Sequence, residues 1–315
     1  MNIESEIRNG YKISSEMKKV WAVEMQLLKK LLDVCEMHHL RIWAEGGTLL
    51  GAVRHHGYIP WDDDIDMAMP REDYDKLQNL AKDEFKAPFF FQSGYTDLLP
   101  NGMTRLRMDG TAAILPQSVF HKCHQGIFID IFPLDVIPDN PCELMKFNLE
   151  KTKKKQDLLN YCQNHWSLLN LKYDWVVLRT KMKIARKGFH AAFQSYDRFI
   201  KQYAESENKH ISIISWNYDK RYHREKDWYK DTIFMPFEDI CIPIPSGYHY
   251  ILKQQYGDYM KPVKASTMHG LYGGFEALDT NKSYLEYLPE IRKKKRQEAR
   301  RGIINILKKR YIFNS

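Results

Sequence analysis

The spacing of apolar residues predicts helices and short strands along the first part of the chain. Apolar side chains recur at three- and four-residue steps over residues 7–39, which predicts one amphipathic helix. The partly alternating stretch at 40–44 predicts a strand, and Gly46 and Gly47 behind it predict a tight turn. Thr48 is placed to cap a short helix after that turn.

Two further strands and a helix follow in the sequence pattern. Residues 64–69 predict a strand that Pro70 ends, and residues 71–82 predict the next helix. Residues 126–132 are rich in β-branched and aromatic side chains, which predicts a buried strand stopped by Pro133.

The patterns divide the chain into four segments. Residues 1–140 form a core, and residues 141–210 read as a helical insertion or subdomain. Residues 211–285 supply the C-terminal part of the core, with short strands and turns over 234–260. Residues 286–315 form a basic amphipathic tail, helical from 291 onwards.

Composition places the chain among globular proteins, since 43% of residues are hydrophobic and 28% are charged. No apolar run is long enough to cross a membrane, and the first residues lack the pattern of a secretory signal. We therefore expect a cytoplasmic protein. The five cysteines are scattered without a C-x-x-C pair, which predicts reduced and mostly buried thiols.

The net charge of +8 is concentrated in the tail. Residues 291–310 contain ten Lys and Arg side chains against the single acid Glu298, so the rest of the chain is nearly neutral. A nearly neutral body argues against a nucleic-acid-binding protein. The apolar residues of the tail helix fall on one side: Ile303, Ile304, Leu307 and Tyr311. Such a helix either lies on an anionic membrane surface or packs this stripe on the body.

A dense run of acids is the strongest chemical feature: Asp62, Asp63, Asp64 and Asp66. Side chains alternate in a strand, so the acids at 62, 64 and 66 would share one face. Carboxylates this close repel one another unless water or a cation screens them, and Mg²⁺ prefers oxygen ligands. An EF-hand is excluded because Met67 stands where glycine is required. A solvated acidic turn and the D-x-D motif of a nucleotide-sugar glycosyltransferase stay open.

The segment before the acidic run has the features of a phosphate site. Gly46 and Gly47 allow close approach of the backbone to a ligand. Backbone N–H groups at the helix start bind phosphate, and the Thr48 hydroxyl adds a donor. Arg54, between the glycines and the acids, is a candidate phosphate partner.

Asp130 is a further candidate because it lies between two phenylalanines in its predicted strand. An unpaired carboxylate is costly on a packed face. Either Asp130 has a structural hydrogen-bond partner, or it meets the cation held by Asp64 and Asp66.

These residues closely resemble the motif of the LicD family, which includes the fukutin-like enzymes. Residues 44–55 read AEGGTLLGAVRH, and residues 57–66 read GYIPWDDDID. Three later segments are similar to the family's later acidic strand and C-terminal elements: FIDIFPLD at 128–135, PIP at 243–245 and YGDYM at 256–260. The resemblance covers roughly residues 27–269.

The resemblance implies an α/β (α+β) fold of the DNA polymerase β type, with a nucleotidyltransferase core and a mixed sheet flanked by helices. It implies that Asp64, Asp66 and Asp130 bind the divalent metal, Mg²⁺ or Mn²⁺, and carry the catalysis. Gly46, Gly47 and Thr48 match the nucleotide-phosphate turn.

Further candidates for substrate binding are Arg54, His55, Arg107 and His269. Members of the family transfer phosphocholine, or a phospho-alcohol such as ribitol phosphate, from a CDP-linked donor such as CDP-choline. The acceptors are glycans or lipid-linked saccharides, and CMP is released. A glycosyltransferase and a non-catalytic glycan- or nucleotide-binding protein are the competing hypotheses.

Overall fold

The computed structural model describes residues 1–162, 171–215, 220–263 and 274–312. Side chains are described for these residues except within 171–174 and 302–312. In chain order the helices are α1 Ser15–Met37, α2 Gly46–His55, α3 Arg71–Glu84, α4 Pro141–Cys162, α5 Leu171–Lys187, α6 Phe189–Ile200, α7 Tyr248–Tyr256 and α8 Tyr284–Ile312. The strands are β1 Glu6–Arg8, β2 Tyr11–Ile13, β3 Trp43–Ala44, β4 Asp66–Pro70, β5 Phe89–Gln92, β6 Thr104–Met108, β7 Ala112–Ile114, β8 Phe128–Val136, β9 His210–Ser212, β10 Arg224–Glu225, β11 Thr232–Phe237, β12 Ile240–Pro245 and β13 Ala277–Asp279.

The central sheet is mixed, which confirms the predicted fold class. Its main path is β10-β9-β8-β4-β3, and β6 pairs with β8 and with β5. Strand β8 runs parallel to β4 and antiparallel to β6 and β9. Helix α1 packs on β6 and β8, and α3 packs on β4 and β8. The predicted apolar stripe of α1 is confirmed, because its members Leu27, Leu28 and Leu31 are fully buried.

Strand β8 continues through Pro133, so the predicted stop at this residue was wrong. The Asp130 N–H donates to the Ile65 carbonyl at 2.9 Å, so alternate N–H groups of β8 point toward β4 and position 133 points away. On that other side, pairing with β6 reaches only Ile131 and pairing with β9 begins at Asp135. Pro133 therefore lies where no ladder hydrogen bond is needed.

The predicted first helix is too long at its N-terminal end. The chain forms the hairpin β1–β2 there, with Asn9 and Gly10 at φ values of 51° and 72°. Two consecutive positive φ values are those of the hairpin turn that Asn-Gly favours. The Ser14 side chain then accepts from the Met17 N–H and starts α1.

Other boundaries also differ from expectation. The strand predicted at 40–44 is reduced to β3, and α8 begins before residue 291. Helix α7 occupies a region where short strands and turns were expected. All five cysteines are free as predicted, but Cys142 and Cys241 are exposed. The helix predicted over 71–82 is confirmed by α3.

The described part of 141–210 is helical up to Ile200, with turns and the start of β9 behind it, and it has an apolar cluster of its own. Phe189, Phe193, Tyr196 and Ile200 of α6 pack with Phe147 and Leu158 of α4. The division of the chain into four segments remains a prediction.

A buried ion pair fixes the far ends of the two parallel strands. Arg71, directly after β4, donates through Nε and Nη2 to Asp135 of β8 at 2.5 and 2.7 Å. The same guanidinium lies 3.6 Å from Asp197 of α6. Breaking such a buried pair costs about 3–5 kcal/mol. The Arg71 guanidinium therefore connects the sheet to the helical segment.

Candidate active site

A cavity of about 1240 Å³ opens where the N-terminus of α2 meets the starts of β4 and β8. Its wall includes Gly46, Gly47, Arg54, Asp62, Asp63, Asp64, Asp66, Arg105, Asp130 and Lys155. The fold thus brings together residues from separate parts of the sequence, most of them singled out above.

Only one of the run's four acids lies in a strand. Asp66 begins β4, whereas Asp62, Asp63 and Asp64 form the segment before it. The shared strand face predicted for the run is therefore wrong. The three preceding acids still converge, because each offers a carboxylate oxygen within 4.8 Å of the others.

Asp66 and Asp130 are brought together by strand pairing. They are Cα partners in the parallel register of β4 with β8. In the same register, the Asp130 N–H donates to the Ile65 carbonyl. The side chains of Asp64, Asp66 and Asp130 thus face one cavity.

The acids at this site disfavour one another's ionisation. Burial and the neighbouring Asp64 raise the pKa values of Asp62 and Asp66 well above the ordinary range. Asp130 contributes further to the shift at Asp66. A divalent cation would relieve this repulsion, and an all-carboxylate set is suited to hard cations such as Mg²⁺. The residues present therefore fit a metal site.

The two glycines are the first residues of α2, and their lack of side chains leaves room for the carboxylates of Asp62 and Asp66. A Cβ at Gly47 would lie 2.4 Å from Asp62 Oδ2, and one at Gly46 would lie 3.3 Å from Asp66 Oδ2. Gly46 also has a φ of +53°, which disfavours other residues. The carboxylates can thus approach the positive end of the helix.

Thr48 does not cap α2 as expected. Its hydroxyl accepts the backbone N–H of Asp66 at 2.9 Å, so it connects the helix to β4. The residue before the helix, Glu45, donates its own N–H to the Asp66 carbonyl at 2.9 Å. Two hydrogen bonds therefore fix the glycines beside Asp66.

Glu45 is held in turn by Arg224, a residue that the sequence analysis missed. Arg224 Nη1 donates to Glu45 Oε2 at 2.5 Å, and both side chains are 1% exposed. The same guanidinium bonds the hydroxyl of Tyr229 and the amide oxygen of Gln255. The pair joins residues 179 positions apart, so no local pattern could have revealed it.

Asp130 has a structural partner in Arg105, whose Nε donates to Asp130 Oδ1 at 2.7 Å. Arg107, selected from the sequence, does not line the cavity. It is 3% exposed and donates to Gln92 Oε1 and to the Gly126 carbonyl, both at 2.5 Å. Those bonds give Arg107 structural partners outside the cavity, whereas the sequence predicted a place in substrate binding.

Arg54 lines the cavity, but His55 does not. Arg54 donates from Nη1 to the Tyr259 carbonyl at 2.8 Å and from Nε to His55 Nε2 at 2.9 Å. Burial and then Arg54 lower the pKa of His55 to about 4, so the ring is neutral at pH 7. His55 therefore contacts Arg54 behind the cavity wall, and its predicted role in substrate binding stays a prediction. His269 lies outside the described residues.

Glu24 of α1 is a further acid of the cavity that the sequence did not single out. It is 3% exposed and accepts the Tyr58 hydroxyl at 3.0 Å. Burial, followed by Asp64 and Asp63, raises its pKa well above the ordinary value. Its position on an amphipathic helix gave no sign that it would be buried beside the acidic run.

The family comparison agrees with this geometry. Residues 39–158 match the family described as LicD/FKTN/FKRP, nucleotidyltransferase domain. The matched segment includes α2, the acidic run and β8. The resemblance noted in the sequence is thereby confirmed, and with it the assignment as a LicD-like transferase.

Individual relatives differ in how much of the chain they match. The chain is 27% identical over 252 residues to the lipopolysaccharide cholinephosphotransferase LicD of Haemophilus influenzae, covering 78% of this chain and 93% of the relative. It is 44% identical over 50 residues to the human ribitol 5-phosphate transferase FKRP, covering 16% of this chain and 10% of the relative. An uncharacterized protein of Rickettsia prowazekii is 44% identical over 71 residues, 22% of this chain and 24% of that protein.

The raised pKa of Glu24 predicts how the stability of the metal-free protein, measured in EDTA, depends on pH. Its folded pKa is raised, so at pH values above about 4.3 the folded state binds protons that the unfolded state has lost. This contribution makes stability fall as pH rises from 5 to 7.5. We expect Glu24→Gln to reduce that fall in the thermal midpoint, whereas Glu36→Gln on the exposed side of α1 leaves it unchanged. Identical pH profiles for wild type and Glu24→Gln would contradict the assignment.

Proposed function

We propose that the chain transfers phosphocholine, or a related phospho-alcohol, from a CDP-linked donor to a sugar hydroxyl and releases CMP. The observation that carries this proposal is the acidic cluster at the Gly-Gly start of α2 within a LicD-family domain. The Haemophilus influenzae relative, which matches 78% of this chain, is named a cholinephosphotransferase, and this favours choline as the alcohol.

The donor diphosphate binds between the start of α2 and the acidic cluster. Backbone N–H groups of a helix start bind phosphate, and Gly46 and Gly47 leave room for close approach. Arg54 lies on the same wall and supplies positive charge. Asp64 and Asp66, together with Asp130, would hold Mg²⁺ or Mn²⁺. The bound cation would neutralise phosphate charge and stabilise the leaving group.

The acceptor hydroxyl attacks the phosphorus of the choline phosphate. Its oxygen forms a new P–O bond, while the P–O bond to the CMP oxygen breaks and CMP leaves with the electron pair. In this proposal the hydroxyl proton passes to Asp130, whose carboxylate lines the same cavity as Asp66. The role of the protein is positioning and charge neutralisation, as in other phosphoryl transfers.

The proposal predicts CMP release from CDP-choline in the presence of Mg²⁺, measured by chromatography with and without an acceptor extract. EDTA abolishes the release, and Asp64→Asn lowers it on the order of 100-fold, as when one preorganised electrostatic contact is lost. Asp83→Asn is the matched control, because this acid is exposed on α3.

The same assay separates the competing functions. UDP release from a UDP-sugar, without turnover of CDP-choline, CDP-ribitol, CDP-glycerol or CDP-ethanolamine, would contradict the proposal and support a glycosyltransferase. Nucleotide binding without turnover of any donor, in the presence of acceptor extract, would support a binding protein.

We further propose that α8 attaches the enzyme peripherally to the anionic membrane surface where lipid-linked acceptors reside. Its basic residues Lys293, Lys294, Arg296 and Arg300 are exposed. Among the described residues, no helix is both long and apolar enough to span a bilayer. The apolar stripe expected at 303–311 lies outside the described side chains.

Vesicle sedimentation tests this attachment. Each Lys or Arg near an anionic surface contributes about 1 kcal/mol, so replacing Lys293, Lys294 and Arg296 by Gln should weaken binding to anionic vesicles about 100-fold. High salt should weaken wild-type binding similarly. The control replaces three exposed lysines of the body by Gln: Lys19, Lys82 and Lys86. Equal binding of wild type and the α8 variant would contradict the attachment.

A further inference from the structure

Arg105 and Asp130 form an ion pair on the wall of the cavity. They are Cα partners in the antiparallel register of β6 with β8. Arg105 Nε lies 2.7 Å from Asp130 Oδ1, and Nη2 lies 3.5 Å from Oδ2. The side chains are 14% and 17% exposed, so the pair is accessible from the cavity.

The pair conflicts with a metal-binding role for Asp130. A carboxylate that faces a guanidinium has less negative charge to offer a divalent cation, and the guanidinium itself repels that cation. On its other side Asp130 faces Asp66, which adds to the negative charge of the acidic cluster. Asp130 therefore lies between the Arg105 guanidinium and the acidic cluster that would hold the cation.

The surroundings of Arg105 differ from those of Arg107. Both guanidiniums lie over the ring of Phe128, at 4.1 Å for Arg105 and 4.6 Å for Arg107. Arg107 is buried and bound to Gln92 and Gly126, away from the cavity. Arg105 is at the cavity wall, and its charge would stay within reach of the Phe128 ring after a small displacement.

We propose that Arg105 competes with the divalent cation for Asp130 and, once the cation binds, passes to the donor phosphate. The inference deepens the proposed function and rests on its metal site. A guanidinium binds two phosphate oxygens as well as two carboxylate oxygens, so the exchange replaces one charge-assisted pair by another. Arg105 thereby couples metal binding to donor binding.

Mn²⁺ binding in the absence of nucleotide, followed by the electron paramagnetic resonance signal of free Mn²⁺, tests the competition. We expect Arg105→Gln to bind Mn²⁺ at least about 10-fold more tightly than wild type, because the competing cation is gone. Arg105→Lys, which keeps the charge, should fall between the two. Lys155→Gln is the charge-matched control, since Lys155 lines the same cavity but bonds the Ser215 carbonyl. Its Mn²⁺ affinity should change much less than that of Arg105→Gln, because its ammonium bonds a carbonyl and not an acid of the cluster.

A second titration tests the transfer of Arg105 to phosphate. With Mn²⁺ saturating, Arg105→Gln should bind CDP about 10-fold more weakly than wild type, although it binds the metal more tightly. This opposite pair of effects is not expected from a general loss of structure. Equal or weaker Mn²⁺ binding by a folded Arg105→Gln, or unchanged CDP affinity, overturns the inference alone. Absence of Mn²⁺ binding by wild type overturns both the inference and the proposed metal site.

Discussion

The parallel pairing of β4 with β8 is the constraint on which the site depends. It places Asp66 opposite Asp130 at the cavity, while Arg71 and Asp135 secure the other end of the same two strands. Helix α2 is aligned to this pair by hydrogen bonds of Glu45 and Thr48 to the backbone of Asp66. A shift of one residue in this register would turn one of the two carboxylates away from the cavity.

The second constraint is the mutual repulsion of the acids gathered there. Two features of the fold reduce it: the positive N-terminus of α2, reached through Gly46 and Gly47, and the guanidinium of Arg105 on Asp130. Neither neutralises the whole cluster, as the raised pKa values of Asp62 and Asp66 show. An uncompensated cluster at the floor of a large cavity is suited to a cation that arrives with a phosphate ligand.

The parts of the structure that depend on residues close in sequence could be predicted from the sequence. The apolar stripe of α1, the helix after Pro70 and the grouping of glycines and acids all follow from residues close in sequence. The errors arose where distant pairing decides. Pro133 remains in β8 because neither β6 nor β9 pairs with the strand at this position. Arg224 contacts Glu45 only because the fold brings these distant residues together. Arg105 and Arg107 share one face of β6, and only their surroundings distinguish a cavity residue from a structural one.

The most direct test of the central claim is calorimetric titration of the protein with CDP, in Mg²⁺ and in EDTA. If the acidic cluster and the start of α2 together bind a metal–diphosphate, CDP binds in Mg²⁺ and its affinity falls at least about 10-fold in EDTA. Asp66→Asn should lose most of this metal dependence. Equal CDP affinity in Mg²⁺ and in EDTA would contradict the account, because the carboxylates would then have no part in donor binding.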